Sequence, residues 1–369
     1  MDQKHLHIVS FDVPHPPDYG GVVDVFYRIK SLYKLGVRIH LHCFEYGRGK
    51  AEALEGYCES ITYYERKNTL PLTRPYIVAS RENNSLLQNL VALPYPILFE
   101  GIHCCAFLDE PALHGRLKMV RLHNIESDYY GHLAENENDF FKRLYFKNEA
   151  WQLERFEKTL HHADYLFAIS PADLHYWKTL YGEKVLYLPA FHAHKKVVSP
   201  LGRGEYALYH GNLSVNENYH AAMFLVKEVF ADLPIRLIIA GKNPHIDWFD
   251  ALKEYNHIEL CVNPSEMELF QMMQEAHLHV LPTFQPTGIK LKLLHALYTG
   301  RFCLTNSLMV QNTGIEHLCH IADSATDFAA KVQHLFEKEF TAEDLAYRAT
   351  FLHQHFDNLQ HAQTIVDLL

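Results

Sequence analysis

The residues best placed to do chemistry lie between Pro286 and Asn306. Gly288, Lys292, His295 and Thr299 recur at steps of three and four, which puts them on one stripe of a helix. Ile289, Leu293 and Leu297 fall on the other side, so the spacing predicts a largely buried helix over 288–299 with one polar seam, stopped by Gly300. A buried lysine without a partner is costly, and a helix start presents unpaired N–H groups. The combination suits a phosphate-bearing ligand held by Gly288, Lys292 and His295. Thr287 is a further binding candidate that could equally cap the helix. Lys290 points off the seam if it is already helical, although a residue of the first turn can escape that projection.

Three other places carry weaker signals. Gly20-Gly21 stands after the first predicted strand, where two glycines let backbone N–H groups approach a ligand; an ordinary glycine turn looks the same. His123 follows a strand over 117–122 and could move a proton or hydrogen-bond a sugar hydroxyl near neutral pH. Its neighbour Asn124 reads better as the cap of the next helix. Gly211-Asn212 follows the first strand of the second half, as an approach to a ligand or as a polar turn. The H-x-H pairs (His5/His7, His40/His42, His192/His194, His277/His279, His353/His355) lack a third ligand at zinc-like spacing. They read as surface histidines, and no metal site is expected.

Positioning these residues requires two series of alternating strands and helices, the pattern of parallel sheets covered on both faces. The first series places strands at 6–11, 38–44, 60–64, 97–100, 117–122, 165–169 and 185–188. Pro189 to Gly204 has no periodicity and reads as a linker. The second series places strands at 206–210, 235–240, 258–261, 278–281 and 302–305, and two helices end the chain. The expected domains are 1–195 and 206–345, with terminal helices over 346–369.

At 369 residues the chain suits two cores. A net charge of -10 argues against a nucleic-acid partner. Met1 to Ser10 lacks the apolar core of a signal peptide, and no run reaches the length of a spanning helix. Seven cysteines without a C-x-x-C pair imply reduced thiols. The expected address is cytoplasmic, with contact to the inner face of the membrane left open. Lys195-Lys196 and the Phe140-to-Trp151 aromatic cluster are the places that could touch it; a solvated linker and a core helix are the preferred account of them.

Taken in order, Gly20-Gly21, His123-Asn124, Gly211-Asn212-Leu213, and Gly288 through Gly300 followed by Leu304-Thr305-Asn306 resemble a GT-B glycosyltransferase. The chain is similar to the nucleotide-sugar-dependent retaining transferases that build bacterial polysaccharides and glycoconjugates. The resemblance implies an α/β fold of two Rossmann-like domains facing a central cleft, with C-terminal helices crossing back to the N-terminal domain. It implies a nucleotide-diphosphate sugar as donor substrate in the C-terminal domain, with no separate cofactor and no metal. A glycan, lipid-linked or protein acceptor belongs to the N-terminal domain, and His123 comes near the transferred sugar. The chain departs from the family where two glutamates are usual, here Thr287 and His295, and where Arg and Lys are usual, here Asn212 and Glu217. Lys290 and Lys292 are candidates for the missing charge. The departures keep open a catalytically silent partner protein, and the fold alone admits a sugar-nucleotide epimerase.

Overall fold

The computed structural model describes residues 3–68, 73–244, 247–285 and 290–369. They form two compact units. The first comprises Met1–Ala193 and Phe356–Leu369; the second comprises His194–Pro286 and Lys290–His355.

The first unit opens with β1 (His5–Ser10), α1 (Gly20–Lys34), β2 (Arg38–Glu45) and β3 (Ser60–Glu65), followed by the short α2 (Tyr76–Ala79) and α3 (Asn84–Ala92). It continues through β4 (Ile97–Glu100), β5 (Lys118–Leu122), α4 (Glu126–Asn136), α5 (Phe140–Glu157), β6 (Tyr165–Ala168), α6 (Pro171–Tyr181) and β7 (Val185–Tyr187). Its parallel sheet runs β3-β2-β1-β4-β5-β6-β7. Strand order reverses at β1, so loops from β1 and β4 diverge at the carboxyl edge and leave a crevice there. β4 and β5 are buried along their whole length, which fits their near-continuous apolar runs. The charged exceptions are Glu100, Lys118 and Arg121, of which Glu100 and Arg121 matter below.

The second unit is built from β8 (Ala207–Asn212), α7 (Asn216–Phe224), β9 (Leu237–Lys242), α8 (Asp247–Ala251), β10 (Ile258–Val262), α9 (Glu266–Glu275) and β11 (Leu278–Val280). Next come α10 (Leu291–Thr299), β12 (Phe302–Thr305), α11 (Ser307–Val310), β13 (His320–Ile321), α12 (Ala325–Phe336) and α13 (Ala342–Phe356). The parallel sheet order is β10-β9-β8-β11-β12-β13, with its reversal at β8.

The last helix, α14 (Asn358–Leu368), belongs to the first unit. Asp357 caps it, and Ala362, Ile365 and Val366 join the core containing Val25, Ile29 and Leu32 of α1. The crossing starts later than residue 346. Arg348 Nη1 donates to Gly300 O at 2.7 Å and Tyr298 donates to Leu352 O at 3.4 Å, so α13 stays with the second unit.

Two expectations about surfaces need correction. Most H-x-H histidines are inside: His7, His40, His42, His192, His277 and His279 are buried, whereas His353 and His355 are exposed. On the sheet face the rings pair with each other, His7 Nδ1 to His42 Nε2 at 2.9 Å and His5 Nδ1 to His40 Nε2 at 3.0 Å. The helix α5 is also no core helix on its outer side, where Phe140, Phe141, Leu144 and Trp151 are all more than half exposed.

Candidate functional site

In the second unit α10 begins at Leu291, with Lys290 still outside helical geometry at φ -83° and ψ 47°. Thr287 and Gly288 lie outside the described residues. Lys292 Nζ donates to Asn218 Oδ1 at 2.9 Å and sits 5.6 Å from the Tyr209 ring centroid. Asn218 in turn donates to Asn212 O at 3.0 Å. A Cβ on Gly211 would lie 3.2 Å from Asn218 Cγ, so the glycine lets β8 and α7 close around that amide. Both Gly211 and Asn212 thus belong to the end of β8 and reach Lys292 through Asn218.

Burial pushes Lys292 down to about 8 and lowers Lys290 as well; Glu217 opposes the shift in both. Glu217 accepts from Thr283, and Thr283 is pinned by Asn306, whose Oδ1 accepts from Thr283 N at 3.0 Å. Lys290 Nζ donates to Gln285 O at 3.2 Å. Glu217 therefore neutralises part of the lysine charge. Lys290 escapes the helical projection because it precedes the helix.

His295 continues the seam. Its ring centroid is 4.7 Å from that of His194 and 6.0 Å from that of His210. Burial lowers His295 to about 4 and His210 well below its ordinary value, so both are neutral. His210 Nε2 is buried and has no hydrogen-bond partner among the described residues. Gly300 is required by packing rather than by conformation: a Cβ there would stand 1.9 Å from His279 Nε2.

In the first unit α1 starts at Gly20, and a Cβ on Gly21 would lie 2.7 Å from the Phe11 ring. That ring meets His123 edge-on at 5.4 Å. His123 is itself buried, with Nε2 3.3 Å from Glu100 Oε2 and Nδ1 3.8 Å from Asp24 Oδ2. Behind it Arg28 bridges Asp24 (3.0 Å) and Glu100, and Arg121 Nε donates to Asp24 Oδ2 at 3.1 Å. Burial pushes the Asp24 carboxyl up, yet Arg121 and Arg28 hold it below the usual carboxylate range. Asp24, Glu100 and His123 offer ligand atoms within 4.8 Å of one another, a spacing a metal could use. Two guanidiniums already supply the cationic charge there.

Asn124 is not the cap of α4. Ile125 holds that position, and Glu157 accepts from both the N–H and the hydroxyl of Ser127, at 3.0 and 2.9 Å. Asn124 Nδ2 instead donates to Glu126 Oε1 at 3.2 Å. Sequence reasoning did not link Glu217, Asn218 or His210 to the α10 seam, and it missed the Asp24–Arg28–Glu100–Arg121 network. The available signal for the last was charge inside apolar runs: Asp24 and Arg28 one turn apart on the core face of α1.

Residues 204–338 match the family model described as Glycosyl transferases group 1. Across the whole chain, the fold is similar to that of S. aureus TarM crystallised with UDP and alpha-GlcNAc-glycerol, with a TM-score of 0.69 at 11% identity, covering 99% of both chains. It is also similar to WaaG, a glycosyltransferase involved in lipopolysaccharide biosynthesis (TM-score 0.64, 12% identity, 98% of this chain and 99% of that one). A curated relative, an uncharacterised 44.6 kDa protein in the cps region of Klebsiella pneumoniae, is 24% identical over 95% of this chain and 96% of its own. The chain has the GT-B fold, and the match to the glycosyl transferases group 1 model falls in its second unit.

Proposed function

We propose that this protein transfers a sugar from a nucleotide-diphosphate donor to a glycan, lipid-linked or protein acceptor in capsule or cell-envelope glycan assembly. The observation that carries this reading is the pair Lys290 and Lys292 around Glu217 at the start of α10. The diphosphate would lie against Lys292 and the helix start, and the lysine charges would stabilise the departing diphosphate. The transfer would then be metal-independent, and the family resemblance favours retention of configuration. With Nε2 facing Glu100 and Nδ1 facing Asp24, His123 would stand near the transferred sugar as a ring held by the two carboxylates. His295, a neutral imidazole where relatives use a carboxylate, favours a second reading as a nucleotide-binding partner without transfer.

Calorimetric titration with UDP, GDP and ADP tests the reading. At least one should bind with sub-millimolar Kd, and Lys292→Ala should weaken it about 10- to 100-fold, the loss of one charge-assisted contact. Because Lys292 titrates at about 8, affinity should fall as pH rises through that value. No binding at millimolar nucleotide overturns the proposal. Binding and nucleotide release without transfer across an acceptor panel favours the second reading.

We also propose that the protein works in the cytoplasm and touches the inner face of the membrane through α5. Among the described residues no helix is long and apolar enough to cross a membrane. Phe140, Leu144 and Trp151 share one stripe of α5, flanked by Arg143, Lys147 and Arg155, with Arg155 4.7 Å over the Trp151 ring. In a chain of net charge -10 this basic, apolar face suits anionic headgroups. Vesicles containing phosphatidylglycerol should sediment the protein at low salt and release it at high salt. Phe140→Glu with Leu144→Glu should reduce binding about tenfold; equal sedimentation with purely zwitterionic vesicles would count against this contact.

A further inference from the structure

The carboxyl edge of the first sheet carries cations that the donor reading does not use. Phe11 follows β1, Tyr46 follows β2, Arg66 follows β3, His103 lies just beyond β4 and His123 follows β5. The topology thus gathers them where ligands of parallel sheets bind. Arg81 is buried beneath this edge, with Nε donating to Phe11 O at 3.0 Å and Nη1 to Ile77 O at 2.7 Å. Arg81 Nη1 also reaches Ser80 Oγ at 3.5 Å, and Arg66 Nη2 reaches the same oxygen at 3.3 Å.

Two guanidiniums therefore meet on one neutral hydroxyl. Neither forms an ion pair among the described residues, whereas nearby Arg48 and Arg74 pair with Asp18 and Glu82. Arg66 Cζ sits over the Tyr46 ring, 4.1 Å from its centroid, and its Nε is buried with no partner among the described residues. His103 Nδ1 is likewise buried and unpartnered, and its ring lies 5.6 Å from Phe11. The acids nearby are committed elsewhere: Asp12 accepts from Tyr19 (2.9 Å) and Val13 N (2.8 Å), and Glu126 from Asn124. Like charges in partly buried surroundings are unfavourable until an anion joins them.

Building on the transferase reading, we propose that Arg66 and Arg81, with His103 beside them, form an oxyanion subsite for a phosphate or carboxylate group of the acceptor. Planar guanidiniums bind both chemistries through paired N–H groups. Phe11 separates this subsite from His123, so an acidic group bound here would lie one ring away from the histidine proposed to meet the sugar.

The test uses the full chain with saturating UDP, titrated with inorganic phosphate and separately with acetate. Thermal midpoints of wild type and of Lys292→Ala should rise by about 3 °C at roughly ten times Kd with at least one of the two anions. The anion giving the larger rise identifies the group. Arg66→Gln should weaken that anion tenfold or more, with Arg66→Lys recovering part of the loss. Circular dichroism of the half-buried Arg66 variants checks that they fold, and unfolded variants would be replaced by Tyr46→Leu, which removes the stacking surface and should weaken binding similarly. No rise with either anion, or an Arg66→Gln response equal to wild type, overturns the subsite. If the wild type fails to bind UDP, the donor reading falls, while titration of Lys292→Ala still reports on Arg66 and Arg81.

Discussion

Asp24→Ala is expected to cost the first unit about 3–5 kcal/mol, the usual price of leaving buried charge uncompensated. The substitution strands the Arg121 guanidinium, which keeps only the carbonyls of Leu188 and Pro189, and leaves Arg28 to Glu100 alone. It also removes the acceptor of Phe191 N, at 2.8 Å, where the chain leaves β7 for the second unit. The loss should appear as a fall of about 10 °C in the first unit's calorimetric transition. Replacing the network jointly (Asp24→Leu, Arg28→Met, Arg121→Met, Glu100→Gln) should recover much of the stability, because desolvation opposes the ion pairs to begin with. A single Asp24→Ala variant within 1 kcal/mol of wild type would mean that water reaches these groups. The network's role would then be confined to orienting His123.

The contrast between what was and was not legible in the sequence follows from the range of the interactions. Strands such as β4 and β12 could be bounded because parallel strands buried on both faces are apolar runs ended by glycine or polar residues. The α10 seam was visible because helical periodicity is local, and Lys292, His295 and Thr299 do line one side. What periodicity could not supply was the partner across the seam. Glu217 and Asn218 are some 70 residues earlier in the chain, and only the β8–α7 turn, closed by Gly211, brings them to Lys292. The H-x-H pairs failed for a related reason. Alternation says that two histidines share a sheet face, not whether that face is wet. Here β1 and β2 run side by side in register, His7 beside His40, so the rings find one another and the face closes over them. The two-residue β13 and the short α2 and α11 carry too few residues for any period to register.

Those buried imidazoles give the second large expectation, a cooperative collapse of the fold in mild acid. Burial holds His7, His192 and His295 at about 4 and His42 and His279 at about 3, with His103 and His210 well below their ordinary value. Each is lowered on folding, so the unfolded chain binds protons near 6.5 that the folded chain refuses until about 4. Stability is then fully present above 6.5 and is lost as pH falls through that window. Glu126 and Glu157 work against this, since burial raises both to about 7 and the folded state holds their protons first. His40, His162, His277 and His320 are lowered as well, and Asp12, Glu149 and Asp173 are raised. The unfolded chain still takes up several protons more than the folded one, on the order of several kcal/mol per pH unit at the steepest. A chain of ordinary stability, about 5–15 kcal/mol, would be half unfolded near pH 5. Tryptophan fluorescence and far-UV circular dichroism against pH should show one steep transition there, with imidazole NMR reporting neutral rings up to its onset. A chain still folded at pH 4.5 with these rings protonated would mean that the sheet faces admit water, and the neutral His7–His42 pairing would have to be abandoned.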